Sequence, residues 1–287
     1  MSDTGNASAD SLDAKRARLR EILADVGSAA VAFSGGVDSA YLLAEARDVL
    51  GRENVLAVTL TASVYPPEDL HEANALAEQL DVRHTMLEQH PLEIPGFADN
   101  PPDRCYVCKR ALFQSVLDLA RDRGLGAVLD GSNADDARAY RPGNRAIEEL
   151  GVRSPLKEAG VTKQDVRALS RRLDLPTAER PSSPCLATRF PYGQVITEAA
   201  LERVAAAERR LHHLGYRVCR VRHHGDVARI EVPSEQVARL VTRDGPQVTA
   251  DLKALGYAYV TVDLEGYRCG AMDEVLPDSQ RGKRNAE

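Results

Sequence analysis

The chain has 287 residues, 43% of them hydrophobic, enough for one large core or two ordinary ones. Trp is absent and aromatics reach only 5%, so aliphatic side chains must fill the interior. A net charge of −6 argues against wholesale coating by nucleic acid but leaves room for a local basic cleft.

Met1-Ser2-Asp3-Thr4 carries neither the basic nor the apolar segment of a signal peptide. No apolar run approaches the ~18–20 residues that a membrane span needs. Five cysteines in this setting point to a reducing cytoplasm, with metal or redox chemistry favoured over disulfides.

Residues 1–10 are small and polar and are expected to be disordered. Leu12, Leu19, Ile22 and Leu23 then share one helical face. Residues 28–33 form an apolar strand-like run, followed by glycines and a helix reaching Leu50. Strands are expected at 55–60, 83–87 and 127–130, with helices at 68–80 and 111–121 between them. This alternation predicts an α/β fold with a Rossmann-like parallel sheet covered on both faces. Ligands bind such sheets beyond the strand C-termini, so the loops after Phe33, Leu60, Leu87 and Asp130 should meet at one site.

Residues 177–193, rich in proline, read as an extended segment. A helix at 198–214 follows, then alternating segments at 216–222 and 228–232, a helix at 234–240 and an apolar run at 258–262. These suggest a smaller α+β domain. The expected organisation is a disordered 1–10, an ATP-binding domain at 11–176, a C-terminal substrate and oligomerisation domain at 177–277, and a frayed tail at 278–287.

The segment Ser34-Gly35-Gly36-Val37-Asp38-Ser39 joins a strand to a helix. Glycines let backbone N–H groups converge, and the helix N-terminus adds positive potential, which together make an anion site. Ser34 and Ser39 offer hydroxyls, and Asp38 can cap the helix or hold Mg²⁺. No Gly-Lys-Ser/Thr closes the segment, so it is not a Walker A loop. It matches the Ser-Gly-Gly-x-Asp-Ser pattern of PP-loop pyrophosphatases. That resemblance implies cleavage of ATP to AMP and pyrophosphate, with adenylation of a substrate oxygen.

Cys105 and Cys108 form a C-x-x-C pair, and Cys185 lies in Pro184-Cys185-Leu186-Ala187-Thr188-Arg189. Three readings are open. All three cysteines ligate a [4Fe–4S] cluster whose fourth iron is left open for sulfide; or Cys185 is a nucleophile that gives up its own sulfur; or the thiols are buried and inert. Arg104, Lys109 and Arg189 are expected to lower the neighbouring thiol pKa values. Cys219 and Cys269 read as core or surface residues.

Several separated motifs together resemble the LarE sulfur transferases of nickel-pincer cofactor synthesis, over residues 15–270. They are Ser34–Ser39, the 103–109 segment with its cysteine pair, Asp130-Gly131-Ser132-Asn133-Ala134-Asp135-Asp136, the 185–193 segment, Arg220-x-Arg222-x-His224 and Ala228-Arg229-Ile230-Glu231. The resemblance implies that carboxylates of a pyridinium-3,5-biscarboxylic acid mononucleotide are adenylated and then converted to thiocarboxylates. It implies ATP, Mg²⁺ and a [4Fe–4S] cluster on Cys105, Cys108 and Cys185, a sulfide donor, and a homo-oligomer.

On this reading Ser34–Ser39, Gly131, Asn133 and Asp136 bind ATP, with Asp135 beside them. Cys185 is catalytic, and Arg189, Arg220 and Arg222 take the substrate phosphate; the last two share a strand face. Glu208 could help shape the same region but reads rather as a surface carboxylate, and His223 and His224 read as non-ligands. The competing functions are a tRNA thiolase, an ATP-dependent amide ligase and a non-catalytic nucleotide sensor. The first would favour a basic appended domain, the second leaves three cysteines without a role, and an intact phosphate loop argues against the third.

Overall fold

The computed structural model describes residues 11–137 and 142–277. The expected disorder at 1–10 and the frayed tail at 278–287 lie outside the described residues. In chain order the main elements are α1 (Leu12–Val26), β1 (Ala29–Ala32), α2 (Val37–Leu50), β2 (Val55–Thr61), α3 (Pro67–Gln79), β3 (Arg83–Glu88), α4 (Arg104–Asp122) and β4 (Ala127–Leu129). Then come α5 (Pro142–Glu149), α6 (Pro155–Glu158), α7 (Lys163–Arg172), α8 (Glu198–His213), β5 (Arg220–His224), β6 (Val227–Glu231), α9 (Ser234–Arg239), α10 (Gly245–Ala254) and β7 (Tyr259–Val262).

The first sheet has the order β3-β2-β1-β4, and every pairing is parallel. β1, β2 and β4 are apolar almost without interruption because both faces are covered, whereas the edge strand β3 is mostly polar. Successive residues point to opposite faces. Ala29, Val31, Val55, Ala57 and Leu129 join the core made with α1, α2 and α7. Ala30, Leu56, Val58 and Val128 join Phe113, Val116 and Ala120 of α4. The expected α/β class is therefore the observed one.

β1 pairs with β2 on one side and with β4 on the other. The chain thus leaves β1 and β4 at a point where the strand order reverses, and a crevice opens there beyond their carboxyl ends. The Ser34–Ser39 loop follows β1, and Gly131 to Asp136 follow β4.

Two boundaries differ from expectation. The helix expected from Ala111 begins at Arg104. Cys105 and Cys108, which lie before the expected start, occupy the first turns of α4, and Pro101 and Pro102 precede it. The strand expected over 216–222 begins at Arg220, because a turn in which Arg217 N donates to Gly215 O, 3.1 Å away, precedes it.

The second sheet has the order β5-β6-β7, antiparallel and then parallel. Its core joins Ala207 and Leu211 of α8 to Val221, Ile230 and Leu252. A further cluster unites Val64 and Phe97 with Leu186, Phe190, Leu201 and Val204. It packs residues from both sides of the expected 176/177 division, which we retain as a proposed domain boundary. No helix among the described residues is long and apolar enough to cross a membrane.

α1 is held to α2 by the buried Glu45 carboxylate. It accepts from Arg16 Nε at 2.6 Å, Arg20 Nη1 at 2.8 Å and the Tyr41 hydroxyl at 3.1 Å. Both arginines keep some contact with water and can rehydrate when Glu45 is removed. Glu45→Ala should therefore cost about 2 kcal/mol, read as a lower urea midpoint at unchanged m.

Candidate active site

The phosphate loop turns at Gly35, where φ is +71°, a conformation that favours glycine. A Cβ there would stand 3.2 Å from Ala73 Cβ. Ser34 Oγ lies 3.2 Å from Ser39 Oγ, and Ser39 Oγ donates to Gly36 O at 3.1 Å, so the loop is braced internally. Val37 is buried and anchors the start of α2. Asp38 does not cap that helix: Gly36 is the N-cap, without a side-chain bond.

Asp38 faces the β4 loop instead. Asn133 Nδ2 donates to Asp38 Oδ1 at 3.2 Å, and Lys163 Nζ donates to Asp38 Oδ2. Asp136 accepts from Asn133 N at 3.1 Å, and Asp135 from Lys163 N at 2.8 Å. Gly131 packs on the loop so closely that a Cβ would lie 3.0 Å from Ser39 N. The structure thus brings Ser34–Ser39, Gly131, Asn133, Asp135 and Asp136 together.

Two basic residues at this crevice escaped the sequence reading. Lys163 opens α7, where its charge opposes the helix dipole unless an anion faces it. A lysine directly after the N-cap Thr162 was the legible signal. Arg180 Nη1 donates to Gly35 O at 2.9 Å while Nη2 reaches Asp69 at 2.6 Å and Glu72 at 2.7 Å. It ties the phosphate loop to α3 and to the chain that leads on to Cys185.

The i, i+3 spacing of Cys105 and Cys108 sets both on one face of α4. Cys185 precedes a 3-10 turn at Leu186–Arg189, and Leu186 N donates to Val64 O at 2.8 Å. Cys108 and Cys185 pack against the same apolar cluster. Burial pushes the Cys108 thiol up to about 12, and Cys185 and Cys105 add to the effect. Burial also raises Cys185, against the pull of Arg104 and Arg189.

The expectation that neighbouring cations favour thiolates is therefore corrected for these two residues: desolvation outweighs the cations. Lys109 moreover sets its ammonium over the Phe113 ring, 5.9 Å from the centroid. Among the described residues no three His, Cys, Asp or Glu side chains gather tightly enough to hold a single metal ion. A cubane places each thiolate on a different iron and accepts a looser triangle. The three thiols lie near one another, beside the buried guanidinium of Arg104, and three thiols are the donor type such a cluster takes.

Arg189 grips Glu208 with Nε at 2.9 Å and Nη2 at 2.8 Å. Its Nη1 donates to Pro184 O at 2.9 Å and Cys185 O at 3.3 Å. Glu208, expected at the surface, is 5% exposed and also accepts from Val221 N at 2.9 Å. The correction was legible: Glu208 falls in step with Leu201, Val204 and Leu211, on the apolar stripe of α8.

Arg222 grips Glu231 in the same forked manner, at 2.9 and 2.7 Å. Arg220 differs. It donates to Cys219 O at 2.6 Å and Ser182 O at 3.0 Å and lies over the Tyr267 ring. It has no carboxylate at ion-pair distance among the described residues, and burial together with the adjacent Arg189 lowers its pKa. Cys219 is buried and Cys269 exposed. His223 packs against Phe190 and Tyr257.

Replacing Glu208 by Gln leaves Arg189 buried without a counter-charge. Glu208→Gln should cost about 3–5 kcal/mol in chemical denaturation. Burial opposes ionisation of Glu208, but Arg189 outweighs it and holds the carboxyl below its ordinary value. Its stabilising contribution is full above the unfolded value of about 4.3 and fades as pH falls through the lower folded value. The stability gap between the two proteins should accordingly narrow below about pH 4. Separately, Gly131→Ala should push on the backbone of α2 and weaken ATP binding about tenfold in calorimetry, while the rest of the fold is retained.

Residues 12–94 match the family described as NAD synthase. The chain is 41% identical over 272 residues to the pyridinium-3,5-bisthiocarboxylic acid mononucleotide synthase of Lactiplantibacillus plantarum, covering 94% of this chain and 97% of that one. It is 41% identical over 266 residues to the uncharacterized protein slr1717 of a Synechocystis strain, covering 92% and 99% of the two chains. A tRNA-specific 2-thiouridylase of Methylorubrum extorquens is 29% identical over 62% of this chain and 56% of its own length. Identity of this order across nearly the whole of both chains, together with a phosphate loop at the switch point of the sheet, shows that the chain belongs to the LarE family of the Lactiplantibacillus synthase.

Proposed function

We propose that the chain is an ATP-dependent sulfur transferase that converts carboxylates of pyridinium-3,5-biscarboxylic acid mononucleotide to thiocarboxylates, in nickel-pincer cofactor synthesis. The observation that carries this reading is a phosphate loop, at the switch point of the sheet, that Arg180 ties to the chain leading on to Cys185, which packs against the same apolar cluster as Cys108.

A substrate carboxylate oxygen attacks the α-phosphorus of ATP, the bond to pyrophosphate breaks, and an acyl adenylate forms. Sulfur then attacks the acyl carbon, and the C–O bond to AMP breaks. Backbone N–H groups of 34–39 and the α2 N-terminus stabilise the departing pyrophosphate. Gly131 and Asn133 complete the ATP pocket, and Asp136 fixes Asn133. Asp38 would hold Mg²⁺, which when bound neutralises the phosphates. Lys163, freed from Asp38, faces the same charge.

The substrate phosphate settles on Arg220, the arginine of the set without a carboxylate partner among the described residues, framed by Arg189 and Arg222. Cys105, Cys108 and Cys185 would hold a [4Fe–4S] cluster, which when bound would carry sulfide from a donor. Cys185 is the catalytic sulfur residue in this reading, whose setting is cytoplasmic and homo-oligomeric.

Anaerobic incubation with the mononucleotide, ATP, Mg²⁺ and sulfide tests the reading by mass spectrometry. AMP, pyrophosphate and exchange of one carboxyl oxygen for sulfur per cycle are expected. Formation of ADP, or sulfur delivered to tRNA in place of the mononucleotide, would overturn it. Asp38→Ala should slow AMP release about a hundredfold or more. Cys185→Ala should abolish thiocarboxylate formation while ATP still binds.

A further inference from the structure

Arg104 is 2% exposed, and no carboxylate stands at ion-pair distance from it among the described residues. A buried cation without a carboxylate is costly unless something else balances it. Its surroundings are instead carbonyl, amide and sulfur. Nη1 donates to Asn100 Oδ1 and to Ala187 O at 3.0 Å, and Nη2 lies 3.7 Å from Cys105 Sγ.

Asn100 is itself specialised. It is fully buried with φ at +54°, and its Nδ2 donates to Phe190 O at 3.2 Å and Pro191 O at 2.7 Å. Gly193 N donates to Asn100 O at 2.9 Å. Asn100 and Arg104 therefore stitch the first turn of α4, which carries Cys105 and Cys108, to the segment that carries Cys185. The guanidinium is fixed between the two sources of thiols and points at one of them.

We infer that Arg104 is the positioning residue of the three-cysteine site: it sets the Cys185 segment against α4 and supplies the fixed positive charge that balances an anionic iron–sulfur assembly there. The inference rests on the cluster assignment made above. A protein that needed only a strap could use neutral donors, and the carbonyl and amide acceptors of Arg104 would accept from them equally well. A charge is required where the partner is negative, and the thiolates and sulfides of a cubane are the anions that this donor set would gather.

Arg104→Gln removes the charge and keeps amide donors, whereas Arg104→Lys keeps the charge and loses the planar fork. Wild type and both variants are reconstituted anaerobically with iron and sulfide. Iron per chain, the rate of iron loss to a chelator, and the cluster midpoint potential are then measured. In R104Q iron should leave about tenfold faster, the effect of one charge-assisted hydrogen bond. The potential should shift down, because loss of a nearby positive charge favours the oxidised cluster. R104K should hold iron better than R104Q and keep a potential near wild type.

Equal iron retention at an unshifted potential in R104Q would overturn the inference alone. So would faster loss in both variants at an unshifted potential, which marks a strap and nothing more. Should R104Q fail to fold, R104K decides: a loaded cluster at the wild-type potential supports the inference, and a folded R104K that takes up no iron overturns it. Failure of the wild-type chain to take up iron would remove the cluster assignment, and this inference with it.

Discussion

The Arg189–Glu208 pair is the joint on which the site depends. Both groups are buried, and each is used several times over. Glu208 receives two guanidinium bonds and the backbone N–H of Val221, so α8 and β5 are locked to one carboxylate. Arg189 Nη1 donates to the carbonyls of Pro184 and Cys185 and to the Thr188 hydroxyl. The segment that carries Cys185 is thereby pinned to the second sheet by charge, while Leu186 pins it to the loop after β2 through Val64. A buried ion pair contributes little net stability over a well-packed apolar replacement. Its contribution here is directional: it dictates where Cys185 can sit.

The two halves of the proposed reaction ask opposite things of their surroundings. Cleavage of ATP needs open backbone donors and a cation facing water, and the crevice between β1 and β4 offers both. Sulfur transfer needs thiols shielded from solvent and oxidant. Burial raises Cys108 and Cys185 and so favours the protonated thiol while no metal is bound. Arg180 and the chain after it connect the two environments without merging them, since Ser183 Oγ also donates to Asp69 at 3.0 Å on the α3 side.

Much of this was legible in the residues. The alternation of apolar strands with helices, and the Ser34–Ser39 segment between one strand and the next helix, led directly to the parallel sheet and its crevice. What escaped was set by tertiary context. The start of α4 at Arg104 was missed because helix starts are weakly marked when no Ser, Thr or Asn cap precedes them; Asp103 stands there but makes no capping bond. Lys163 lies more than a hundred residues from Asp38 in sequence, and such pairings leave no local trace. Glu208 was readable in principle from its helical phase, and was missed because a carboxylate was weighed by its chemistry and not by its position on the stripe. The thiol shifts went the wrong way for a related reason: neighbouring charges are visible in a sequence, whereas desolvation is not.

The cations of the site divide by what already faces them. Arg189 and Arg222 are closed on Glu208 and Glu231 in forked pairs, and their electrostatic work is internal. Arg104 and Arg220 are buried with neutral oxygens and, for Arg104, a sulfur. Lys163 stands between these classes, paired with a carboxylate that a divalent cation would claim. A guanidinium that is desolvated and has no carboxylate is costly unless something else balances its charge. In the proposed cycle the positions of Arg104 and Arg220, one at the cysteine helix and one at the strand that follows Cys219, are where anions would arrive: sulfur at the first, phosphate at the second. The pyridinium substrate would then bridge two fixed charges, and its carboxylate would be presented to ATP and to sulfur by geometry already built into the resting chain.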